Sequence, residues 1–200
     1  DGSFDQVREA IVLEATWLGS PEPYTTRKIQ SYIGQTMLKT EQIDTVHKYG
    51  LEPFEVKVLH PSRTICEKIM SLVRFSYSEN PIDDLKKKIR HVYDLHVLLE
   101  QKEYQEFFNS ADFEEMLHKV ASDDVLSYKN DNNWLFRHPK DALVFKQLEK
   151  ILQELRQEYN GPFKKLVYGH LPEDKTAFQT LRDIRDRLSK TKWRLFPEND

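Results

Sequence analysis

Five charged residues stand where an ordinary core helix would keep neutral ones. They are Glu67 and Lys68 with Arg74 in RTICEKIMSLVRFS (63–76), and Arg90 with Asp94 in KIRHVYDLHVLL (88–99). Lysine and arginine can hold a polyanion such as a triphosphate, and a carboxylate can orient a nucleophile or a neighbouring cation. A plainer chemistry competes at each position. Thr64-Ile65-Cys66-Glu67 fits the capping box, in which a threonine hydroxyl and a glutamate carboxylate satisfy orphan amides at a helix start. Lys68 is not explained that way, because a cation in a first turn opposes the helix dipole; it either meets a polyanion or snorkels to solvent. Arg90 and Asp94 are four apart, but in the weaker order for an intrahelical pair, worth about 0.2–0.5 kcal/mol at best. Glu14, inside the apolar run IVLEATW, is either the solvent side of a strand or a metal-binding carboxylate at a sheet rim. Cys66 is read as a small buried residue, since no second cysteine exists and no histidine neighbours it.

These residues need elements to hold them. REAIVLEATWL (8–18) reads as a strand and GSPEP (19–23) breaks it. Residues 25–39 carry apolar positions at helical or partly helical spacing, and FEVKVLH (54–60) alternates as a second strand. After Pro61 the periodicity is helical, with helices predicted at about 63–77, 82–101, 112–128, 139–159 and 173–190. Leu85, Ile89, Val92, Leu95 and Leu99 form one continuous apolar stripe, and Asn160-Gly161-Pro162 stops the fourth helix. The fold class is therefore α+β and mainly α: residues 1–60 bear the strands and residues 61–200 form a helical domain carrying the charged motifs. Two strands alone cannot bury their faces. They lean on the helices or belong to a larger sheet.

The composition narrows the function classes. A 200-residue chain with formal net charge -3 has no global basic footprint for nucleic acid. It contains no apolar run of about 18 residues that would span a membrane, and its N-terminus has no signal layout. A cytoplasmic protein is expected. One cysteine excludes an internal disulfide, and the seven histidines show no zinc-ligand spacing.

Taken together, LEPFEVKVLHPSRTICEKIMSLVRFS (51–76) and KIRHVYDLHVLL (88–99) resemble the AbiEii/AbiGii-type nucleotidyltransferase toxins of the polymerase-beta-like superfamily. The family pattern is a strand, a proline, a helix with E-K-x-x-A-L-x-R and a helix with R-D-x-Y-D-L. Here Glu67, Lys68, Leu72 and Arg74 match the first helix, with Ser71 at the usual alanine. Arg90, Tyr93, Asp94 and Leu95 match the second, with His91 where aspartate is common. IVLEATW looks like the preceding family strand, and LEKILQELRQEYNGPFKKLVYG (148–169) looks like the helical tail of longer members.

The resemblance implies that Glu14, Lys68 and Asp94 are catalytic, that Lys68, Arg74 and Arg90 bind nucleotide, and that Glu14 is a ligand of Mg2+. It also implies an NTP substrate, an acceptor that is possibly RNA, and a cognate antitoxin. The family's glycine-serine motif with two metal-binding acids has no counterpart here. The strands are thus expected to be the remnant of a nucleotidyltransferase sheet, and the chain alone to be inactive. The alternative is a non-catalytic helical module that docks an antitoxin or another protein.

Overall fold

A computed structural model describes residues 22–126 and 132–194. The fold is α+β and mostly helical, as the sequence implies, with a two-stranded antiparallel sheet among the described residues. The predicted strand at 8–18, and Glu14 with it, lie outside the described residues. The chain divides into two compact units, Pro21–His60 and the part that begins at Pro61.

The smaller unit pairs β1 (Tyr24–Ile29) with β2 (Phe54–Leu59), Tyr24 opposite Leu59 and Ile29 opposite Phe54. Between them run α1 (Tyr32–Lys39) and α2 (Ile43–Tyr49). The predicted helical stretch 25–39 thus opens as a strand, because YTTRKI is rich in residues that fit a pleated surface and finds β2 as a partner. Ser31 then caps α1 by accepting from the Gly34 amide at 3.0 Å. Gly34 tolerates no side chain: a Cβ there would lie 2.5 Å from the Leu51 carbonyl oxygen. Among the unit's described residues only Gly34 and Val46 are buried.

The larger unit is built around α3 (Pro61–Phe75). Proline at the first helical position lacks only an N–H that would have no intrahelical partner. Ile65, Ile69, Leu72 and Val73 are buried on its inner face. Around α3 are α4 (Pro81–Lys87), α5 (Ile89–Leu99), α6 (Lys102–Asn109) and α7 (Ala111–Leu126). Two short 3-10 turns, Asn132–Phe136 and Pro139–Asp141, lead to α8 (Leu143–Lys146) and α9 (Leu148–Asn160). A third turn, Phe163–Leu166, precedes α10 (Asp174–Leu188). The stripe from Leu85 to Leu95 is buried in one core with Ile151, Leu155, Phe178, Leu181 and Ile184.

The predicted helix 82–101 is broken at Lys88, whose φ of -100° and ψ of 12° leave the helical region. No proline or glycine marks that break. The Lys88 ammonium sits 4.6 Å from the centre of the Phe75 ring, on α3. The helix predicted at 139–159 is likewise divided, at Ala142 and at Gln147. The α6 segment, KEYQEFFN, is a helix beyond those predicted: Tyr104, Phe107 and Phe108 stand at helical spacing, but over only eight residues.

Ser76 closes α3 and reaches into the core. Its Oγ donates to the Leu72 carbonyl at 2.9 Å and accepts from the buried Val144 amide at 3.1 Å. Ser76→Ala should therefore cost about 1–3 kcal/mol in urea unfolding, because it strands that amide away from water. A change near zero would mean that Val144 finds another acceptor.

Candidate functional site

Lys68 and Asp94 come from different helices and meet. The Lys68 Nζ lies 2.6 Å from Asp94 Oδ2, joining α3 to α5. Helix α3 carries Lys68, Ser71 and Phe75 at spacings of three and four, so they share a face. Helix α5 carries Arg90 and Asp94 in the same way. The lysine side chain is largely covered, at 19% exposed, and the aspartate is at 35%. Asp94 thus pairs across the helices and not with Arg90.

The third member is His91, whose Nδ1 lies 3.5 Å from the same Lys68 Nζ. Its basicity is pushed down to about 4, first by burial and then by the positive charges of Lys68, Lys88 and Arg90, against an opposing pull from Asp94. Three cations and one carboxylate therefore act on this imidazole. Unfolded histidine titrates near 6.5, so between that pH and 4 the unfolded chain binds the extra proton. Stability should fall as pH drops through this window, by on the order of 2 kcal/mol once solvent screening of a half-buried ring is allowed for. The His91→Gln protein should lack that part of the pH dependence. Parallel curves for the two proteins in urea titrations from pH 7 to 4 would contradict the assignment.

The other predicted residues are placed apart from this contact. Arg74 turns toward α7, with its Nη1 4.0 Å from Asp124 Oδ1 and its guanidinium 5.2 Å from the centre of the Phe75 ring. Arg90 is exposed and lines a hollow of about 480 Å³ with Lys86, Lys87, Glu158, Phe163 and Leu166. Of its lining residues, Lys86 reaches Glu154 at 3.1 Å and Lys87 reaches Asp84 at 2.8 Å. Of the residues assigned to catalysis, the structure brings Lys68 and Asp94 together, and Glu14 is outside the described residues.

The capping box is not formed. Helix α3 starts at Pro61, so Thr64 already lies within the helix and cannot cap it. Glu67 instead accepts from Arg63 Nε at 2.8 Å, four residues back. The earlier start also moves Lys68 beyond the first turn, where the dipole penalty has faded. Arg63 is the larger surprise. It is 1% exposed, and its second branch reaches Asp123 Oδ2 on α7 at 2.7 Å. Burial disfavours its charge, but the hydrogen bonds to Asp123 and Glu67 outweigh that and raise its basicity. The sequence offered one signal for it, the Arg63–Glu67 spacing of four.

Cys66 is fully buried as expected, and burial pushes its thiol far up, away from any nucleophilic form. His96, 4% exposed, shares a 3.0 Å hydrogen bond with the Thr180 hydroxyl and ties α5 to α10.

The described residues do not make a magnesium site by themselves. No group of three histidine, cysteine, aspartate or glutamate side chains among them could hold a metal ion. The Lys68 ammonium already occupies the cation position at Asp94 Oδ2. No helix among the described residues is long and apolar enough to cross a membrane.

Comparisons with curated proteins and with solved structures gave no significant match. A family model described as nucleotidyl transferase AbiEii toxin, type IV toxin–antitoxin system, matches residues 3–188. That match spans both units and both charged helices, and the chain belongs to the AbiEii nucleotidyltransferase toxin family.

Proposed function

We propose that the protein transfers a nucleotide from an NTP to an acceptor hydroxyl, with RNA as the acceptor, and that Lys68 and Asp94 are the centre of the site. The observation that carries this reading is the 2.6 Å contact between them, made from separate helices and with Asp94 still about one-third exposed. In the transfer, an acceptor oxygen bonds to the α-phosphorus and the bond to the β-phosphate oxygen breaks. Pyrophosphate leaves, and the hydroxyl proton passes to water. Such chemistry asks the protein chiefly to position the triphosphate and to neutralise developing charge.

Lys68 supplies a point charge for the phosphates. Asp94 fixes where that ammonium sits. Arg90, exposed beside its hollow, is assigned to the nucleotide or the acceptor, and Arg74, which reaches Asp124, to bracing α3 against α7. Magnesium is assigned to Glu14. A cognate antitoxin is the proposed protein partner, and the cytoplasm the proposed compartment.

The test is to incubate the intact protein with labelled NTPs, magnesium and total RNA. Label should enter RNA, in proportion to time and enzyme. Tight binding of a partner protein with no nucleotide bound and no label transferred would favour the docking-module reading instead.

A further inference from the structure

We propose that His91 is a phosphate-binding residue: its imidazole, with Nδ1 turned to the Lys68 ammonium, presents Nε2–H to a phosphate oxygen of the bound nucleotide. The proposal rests on the reading of Lys68 as a phosphate contact and adds a residue to that site.

The tautomer follows from the neighbour. An ammonium donates and cannot accept, so the Nδ1 that faces it at 3.5 Å must carry a lone pair. In an uncharged ring the proton is then on Nε2. That nitrogen has no hydrogen-bond partner among the described residues, although the ring is half-buried. A donor in such a place is poised for a ligand. The surroundings set the ligand's sign: Lys68 on α3, with Lys88 and Arg90 at the start of α5, press on the ring with positive charge, against a smaller opposing pull from Asp94. Lys68 has three donors and spends them on Asp94 and His91, leaving one for a phosphate oxygen.

A neutral imidazole suits this position better than a carboxylate. An ionised aspartate, common at this position in the family, has no N–H to donate to a phosphate oxygen, so the contact is particular to this chain. A glutamine would keep an N–H donor without charge. An anion bound at Nε2 also leaves a signature that a merely structural histidine would not show. It stabilises the imidazolium and offsets the depression caused by Lys68, Lys88 and Arg90, so the ring's basicity rises on binding.

The probe is inorganic tripolyphosphate without magnesium, added to the full chain. The His91 ring resonance, assigned by its loss in His91→Gln, is followed by NMR from pH 7 down through 4, and affinity is measured by calorimetry. On saturation the His91 titration should move up by about one unit or more. His91→Asp should weaken binding at least about tenfold, while His91→Gln should stay within about threefold of wild type. Circular dichroism of both variants checks that they fold. An unmoved His91 resonance with tripolyphosphate bound, or His91→Asp binding like wild type, would overturn the assignment. The Lys68→Met variant separates the two ideas. If it loses tripolyphosphate while His91 stays unmoved in wild type, the Lys68 reading survives and the His91 proposal falls. If it binds as tightly as wild type, both fall.

Discussion

Arg63→Ala should destabilise the protein by about 3–5 kcal/mol, a large part of the roughly 5–15 kcal/mol that holds a domain folded. Arg63 is buried between α3 and α7 and neutralises two carboxylates at 2.8 and 2.7 Å. Alanine would leave a cavity and place Glu67 and Asp123 near one another with no cation between them. Arg63→Met should fall between wild type and alanine. It fills most of the volume, and both carboxylates are partly exposed and can recover water. Lys102→Ala, which removes a pair at 3.8 Å between two well exposed side chains, should show no measurable change. Urea unfolding of the three variants checks the order. If Arg63→Ala matched Lys102→Ala, the buried guanidinium would not be the tie between these helices.

The second large effect is on activity. Lys68→Met and Asp94→Asn should each lower transfer by the intact protein about 10²–10³-fold, the range found when one preorganised charge or donor is removed from a transition state. The two should not add. Because Asp94 acts through the ammonium it positions, the double variant should be about as slow as either single one. Stability should barely follow, since a partly exposed ion pair contributes about 1 kcal/mol or less. Initial rates and melting temperatures measured on the same preparations separate the roles. Loss of activity in step with loss of fold would make the pair a structural tie only.

Much of the helical body was legible because its apolar residues recur every three or four positions. Leu85 to Leu95 and Leu148 to Leu155 are buried where that period places them. The Asn160-Gly161-Pro162 stop is also where α9 ends. What periodicity could not carry was the break at Lys88, which has no glycine or proline, and the short α6. The strand at 24–29 was hidden for another reason: its partner lies about thirty residues on, and pairing decides what a β-branched run becomes. Within the site, sequence spacing singled out Lys68 and Asp94 because no local partner explained them. Their true partner is each other, across two helices. The capping-box reading of Glu67 failed because the helix begins at Pro61 and Arg63 claims the carboxylate. The burial of Arg63 and the cations gathered round His91 are properties of packing, and one helix's sequence does not contain them.

The most direct test of the Lys68–Asp94 site is a crystal structure of the intact protein with a non-hydrolysable NTP analogue and magnesium. A triphosphate oxygen should lie about 2.7–2.9 Å from Lys68 Nζ, with Asp94 still bound to the same ammonium. A fully occupied nucleotide with its phosphates against another face, and Lys68 touching only Asp94, would contradict the account.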